Sequence, residues 1–217
     1  MKNPLPPITL GARRLRRALP ALLILCCPLA AAAQADFPDA DAFLNSVLKA
    51  EDRVSVAARG DLNGDGLEDW AGVLERRRPN ASQTYQLYVL LQSPRGGYRV
   101  AESSKEAPVS GTGCCWVEDL RITRSSIYVQ SNAKSGGSME AVTHQFKLYR
   151  GAWRQVGLRI YRVDQTTDTS TDTDTNLLTG AVTEETQTGD DKPVTRRRRG
   201  RKLPARLLRD FDFFTRD

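Results

Sequence analysis

Val142-Thr143-His144-Gln145-Phe146-Lys147-Leu148-Tyr149-Arg150-Gly151-Ala152-Trp153-Arg154-Gln155-Val156-Gly157-Leu158-Arg159-Ile160 reads as a hairpin. Val142, His144, Phe146 and Leu148 share one face, while Thr143, Gln145 and Lys147 take the other. Arg150-Gly151 supplies the turn, and Val156, Leu158 and Ile160 line the returning strand. Successive strand side chains point to opposite faces, so this alternation predicts a sheet with one packed face and one wet face. The pattern recurs upstream in Leu120 and Ile122, in Ile127 and Val129, and in Leu87, Val89 and Leu91. Ser135-Gly136-Gly137-Ser138, Ser93-Pro94 and Gly96-Gly97 mark the turns between these runs, with Tyr98-Arg99-Val100 following the last.

Downstream, Thr166 to Thr175 is nearly all Thr and Asp. Such a composition suits a solvated linker, yet Thr is also a good strand residue. The Asn176-Leu177-Leu178-Thr179-Gly180 turn and the Ala181-Val182-Thr183 that follows tip the expectation toward an exposed, extended hairpin. Gly189 to Pro193 is a further loop, and Leu203, Leu207, Leu208, Phe211, Phe213 and Phe214 give the tail enough apolar surface to dock on the core. The period changes only near the start of the chain, where Phe43, Leu44, Val47 and Leu48 form a helical stripe. Asp39 or Asp41 caps that helix, which is expected to end near Ala50. The fold expected is mainly β: a single antiparallel β-rich domain, curved sheet or sandwich, with one short N-terminal helix.

Residues 1–35 have the form of a secretory signal. Arg13, Arg14, Arg16 and Arg17 precede an apolar run from Ala18 to Leu29, and Ala33-Gln34-Ala35 has the small-residue pattern of a cleavage site. Cleavage is expected before Asp36, with a cut before Gln34 as the alternative, leaving residues 36–217 as the exported domain. The apolar run is shorter than the ~20 residues of a membrane span and holds Pro20 and Pro28. No later run approaches that length, so no transmembrane segment is expected after residue 35. The location implied is periplasmic or secreted.

The whole chain carries 32 basic and 26 acidic residues, but Lys2 and the four arginines of residues 1–35 leave 27 against 26 beyond them. The domain is therefore close to neutral, which argues against a general nucleic-acid binder. Its cysteines, Cys114 and Cys115, are adjacent. In an oxidising compartment a vicinal disulfide, a bond to another chain and free thiols are all open to them. Adjacent cysteines without spaced partners match no zinc template, and no C-x-x-C redox pair is present. Gly111-Thr112-Gly113 before them and Trp116 after them suit a loop-shaping role.

Asp61-Leu62-Asn63-Gly64-Asp65-Gly66-Leu67-Glu68-Asp69 is the densest chemical signal. Asp61, Asn63, Asp65 and Asp69 stand at positions 1, 3, 5 and 9, and Leu67 at position 7 offers a backbone carbonyl. Ca2+ takes oxygen ligands, and alternating side-chain oxygens with glycines lets a short loop wrap such a cation. Position 12 is Gly72 where an EF-hand needs a bidentate glutamate, and the flanks Val54-Ser55-Val56 and Trp70 to Leu74 read as strands. A metal-free turn is the competing account, since Asp, Asn and Gly also make turns. The loop resembles FG-GAP or VCBS-type calcium loops, which sit between strands in extracellular proteins. That resemblance implies calcium at Asp61, Asn63, Asp65, Leu67 and Asp69 in a structural role. Propellers repeat the motif in each blade, and no second copy occurs here. The stretch Gly151 to Gly180 is similar to exported bacterial proteins with a single such loop, which implies no reaction.

His144 is the sole histidine and shares a face with apolar residues, as a half-buried strand histidine does. No G-x-S-x-G, H-E-x-x-H or P-loop motif occurs. Arg196-Arg197-Arg198-Arg199-Gly200-Arg201-Lys202 is a basic run. It suits a polyanion, an envelope surface or a partner's acidic patch, or else a solvated edge facing Glu184, Glu185, Asp190 and Asp191. The function these features imply is an exported, non-enzymatic calcium-loop protein, a binding or structural module of the cell envelope. Its partner would be an unknown protein or an envelope polymer. The alternatives are a motif-less hydrolase and a polyanion binder working through the basic run.

Overall fold

The computed structural model describes residues 37–79, 82–109, 115–200, 202 and 205–214. The signal segment, Gly111 to Cys114, Arg201 and Leu203 lie outside them, so the signal reading and the state of the cysteine pair are not addressed by the fold.

The protein is mainly β, with two antiparallel sheets and, among the described residues, one short α-helix. That helix, α1 (Ala40–Val47), starts where Asp39 accepts the Ala42 N–H at 2.7 Å. It ends at Val47, short of the Ala50 expected. Leu48 is already extended, and Lys49 N–H is taken by the Asp52 carboxylate, closing a turn.

The first sheet orders β1 (Arg53–Gly60), β2 (Asp69–Arg76), β3 (Thr84–Gln92) and β4 (Tyr98–Ser103), with β5 (Ala107–Pro108) also on β3. Ser104 bridges the gap between β4 and β5: its hydroxyl accepts the Leu87 N–H at 2.9 Å. Both faces of this sheet are covered. Trp70, Leu74, Leu90 and Tyr98 pack under α1 with Ala40 and Phe43, while Ala71, Val73, Leu87 and Val89 face the main core. A bulge between Val54 and Val56 lets Val54 face the helix and Val56 face the core from the same strand. Arg76 ties the layers by donating to Val47 O at 3.2 Å, to Asp52 at 3.3 Å and to the Tyr88 hydroxyl at 3.1 Å.

The six-membered ring of Trp70 lies against Gly72, where a Cβ would meet it at 2.3 Å. Gly72→Ala must displace a buried indole, and overpacking of this kind costs about 1–3 kcal/mol. The expected readout is a lower urea midpoint with an unchanged slope.

The second sheet is a seven-strand meander in which every strand pairs with its sequence neighbours. Its strands are β6 (Cys115–Thr123), β7 (Ser126–Ser135), β8 (Ser138–Tyr149), β9 (Ala152–Asp164), β10 (Thr169–Asn176), β11 (Ala181–Thr188) and β12 (Val194–Arg199). The Thr-rich stretch is thus a strand and not a linker. The β8–β9 hairpin turns at Arg150-Gly151 as expected, but Gly157 pairs with Gln145 while Gln155 pairs with Phe146, leaving Val156 as a bulge. Trp153 and Phe146 therefore reach the core together, joined by Val117, Leu120, Ile127 and Val129.

The chain then returns to close the molecule. Arg206 O accepts the Gln155 N–H at 2.9 Å on the second sheet, and Phe211 O accepts the Lys105 N–H at 3.1 Å on the first. Leu208 between those anchors, Phe211 itself and Phe213 just beyond are buried in the shared core. The tail docks as its apolar residues predicted, in the form of a strap across both sheets.

Candidate metal loop and basic edge

The acidic loop connects β1 to β2, whose ends pair at Gly60 and Asp69. Leu62 is buried and anchors the loop in the core. Gly64 and Gly66 hold φ of 83° and 81°, in the left-handed region that favours glycine, and so turn the backbone between the acidic positions. Asp61 accepts the N–H of Gly64 at 2.7 Å and of Gly66 at 3.0 Å. Asn63 Oδ1 accepts the Asp65 N–H at 2.9 Å, and Asp65 accepts the Leu67 N–H at 2.9 Å and the Asn63 amide at 2.8 Å. Asp69 is apart from these: it is fully buried, accepting the Leu62 N–H at 2.8 Å and the Gln92 N–H at 2.9 Å, and so clamps the loop's exit to β3.

The electrostatics divide in the same way. Hydrogen bonds from Gly64 and then Gly66 hold the Asp61 carboxyl below the usual carboxylate range. Burial pushes Asp69 up, and the charges of Asp65 and Asp61 push it further. Among the described residues no three His, Cys, Asp or Glu side chains stand grouped to hold a metal ion; the loop's acids are folded onto its own amides. The donor chemistry nonetheless fits a hard cation. Asp61, Asn63 and Asp65 carry oxygens with lone pairs beyond those accepting hydrogen bonds, and the charges of Asp65 and Asp61 both act on Asp69.

The basic run continues the meander as its edge. In β12, Arg196 stands opposite Glu184 and Arg198 opposite Val182 in register with β11, and all six residues of the strand are exposed. Lys202 is exposed as well.

His144 is buried and not half-buried, because the strap covers it: its ring centre lies 4.7 Å from that of Phe211. Gln155 Nε2 donates to Nδ1 at 3.1 Å, which sets the neutral ring with its proton on Nε2, an atom without a hydrogen-bond partner. Burial, then the charge of Arg206, lowers its pKa to about 3. This is a core histidine. A buried ion-paired group escapes a reading of the sequence: Glu75, fully buried, accepts from Arg53 at 2.6 Å and from Arg77 at 2.6 Å, with Tyr85 as its register neighbour on β3. Arg53 is 22 residues away, so no local spacing announces the pair.

No protein-family model, no curated protein and no solved structure matches this chain. No helix among the described residues is long and apolar enough to cross a membrane.

Proposed function

We propose that this chain is an exported, non-enzymatic calcium-loop module of the cell envelope, periplasmic or secreted, that serves by presenting a sheet edge to a partner. The observation that carries the reading is the loop itself. It gathers Asp61, Asn63 and Asp65 at an exposed turn between two strands, with Asp69 fixed beneath, its carboxyl pushed up by burial and further by the charges of Asp65 and Asp61. A divalent cation relieves that repulsion and locks β1 to β2 at their connecting turn. The role is structural: the loop joins β1 to β2, and β2 is buried along nearly its whole length.

The test is calorimetry of the exported form with calcium and with chelator. At free calcium about 100 times the Kd, mass action adds ~2.7 kcal/mol. For a chain of this size that raises Tm by about 5–10 °C. The Asp61→Asn, Asp65→Asn double variant should lose the calcium-dependent rise. A midpoint indifferent to both millimolar calcium and chelator, with no metal found in the purified protein, overturns the metal assignment.

A further inference from the structure

We propose that β12 is the docking edge for an extended acidic peptide, which joins the second sheet as an eighth strand and sets its carboxylates against Arg196–Arg199. The strand is bonded to β11 on one side, and among the described residues nothing pairs with its other side. It is held in strand geometry along its full length: all six residues are in register with β11, and beyond them Gly200 N–H donates to Gly180 O at 2.7 Å. An ordered, unpaired edge offers a row of backbone donors and acceptors to any chain whose side chains are compatible.

The charges define that compatibility. Elsewhere in this sheet arginines near acids pair with them, as Arg159 does with Asp172 at 2.5 Å and Arg162 with Glu140 at 2.5 Å. Arg196–Arg199 make no ion pair among the described residues, although Glu184 stands directly opposite Arg196. Four guanidiniums without an ion pair among the described residues thus line one edge. Pairing of β12 with the β12 of a second copy is disfavoured, because it sets arginine beside arginine. The alternation of the strand then separates a peptide from a shapeless polyanion. Arg196 and Arg198 point to the face of Val182 and Glu184, while Arg197 and Arg199 point to the opposite face. An added strand alternates in the same way at about 3.4 Å per residue, so consecutive carboxylates meet consecutive arginines on both faces. Guanidinium and carboxylate are matched in geometry as well as charge.

The inference rests on reading the chain as a binding module, and it is independent of the calcium assignment. The probe is a fluorescent peptide of four consecutive glutamates flanked by threonines, followed by anisotropy at low salt. Its control is the same peptide N-methylated at each glutamate, which keeps the charge and removes the backbone donors. Heparin serves as the polyanion arm. The unmodified peptide is expected to bind at least tenfold more tightly than its N-methylated form. The Arg196→Gln, Arg198→Gln variant, with an unchanged melt because both sites are exposed and no like-charge pair is created, should lose at least tenfold in affinity. Equal binding of the two peptides, undiminished binding by the variant, or binding of heparin without the peptide each overturns the proposal. Mass spectrometry of the recovered peptide separates the two readings: cleavage refutes the non-enzymatic module, whereas intact, unbound peptide refutes the docking edge alone.

Discussion

Phe211→Ala is expected to destabilise the fold by about 3–5 kcal/mol, the range for deleting a buried aromatic side chain. Phe211 is 1% exposed and stands at the crossing of three rings: His144 at 4.7 Å, Phe146 at 4.8 Å and Phe213 at 4.9 Å between centres. It also belongs to the strap that fastens the sheets to each other. The cavity therefore opens where His144 and Phe146 of β8 meet the residues that Lys105 and Gln155 hold by their backbone amides. The surroundings cannot easily collapse into it, because both flanks are pinned. Urea unfolding monitored by circular dichroism measures the loss. Phe214→Ala, at a partly buried ring on the rim, is the control and should cost clearly less. A loss below about 1 kcal/mol at Phe211 would show that the strap is an ornament on a core complete without it.

The second large effect is acid sensitivity through the same spot. The unfolded chain protonates its sole histidine near pH 6.5, while the folded protein holds His144 neutral until about pH 3. Between those values the unfolded state binds the extra proton, so stability is full above pH 6.5 and falls as the pH drops toward 3. At ~1.36 kcal/mol per pH unit, about 2 kcal/mol is lost by pH 5 and on the order of 5 kcal/mol by pH 3. Comparison with a variant that lacks the imidazole separates the histidine's share from that of other groups. Urea midpoints at pH 7.5 and pH 5.0 for the wild type and His144→Gln provide the test. The wild type should weaken across that interval and the variant should not; parallel curves would assign the acid loss elsewhere. Because His144 and Phe211 touch, their substitutions should combine non-additively.

What the sequence disclosed follows from which forces are local. The hairpin at Val142–Ile160 was legible because its side chains alternate and its turn carries a glycine; the Asp39 cap was legible because capping acts over three residues. The end of α1 was less so, since Asp52 stops it from beyond the helix. Bulges at Val54–Val56 and at Val156 shift a strand from one face to the other without any composition signal, so the core role of Trp153 beside Phe146 had to be seen. In the acidic loop the spacing of Asp61, Asn63 and Asp65 was readable, whereas the inward turn of Asp69 onto the Leu62 and Gln92 amides depends on β3. The Arg53–Glu75–Arg77 group was hidden for the same reason. Nor does sequence tell whether an arginine run finds its acids; only the sheet register leaves Arg196 opposite Glu184 without a bond between them.

The meander has a mechanical corollary. Strands bonded only to their sequence neighbours separate like the teeth of a zipper when pulled at the outermost one, a few hydrogen bonds at a time, instead of resisting together in shear. A tug delivered through β12 would peel first that strand and then β11, both of which contribute little to the core. Peeling meets its first stop at the turn after β10, where buried Leu177 donates its N–H to Val156 at 3.0 Å. The outer strands thus form a compliant leash that yields and rezips, while the strapped sandwich behind it stays folded.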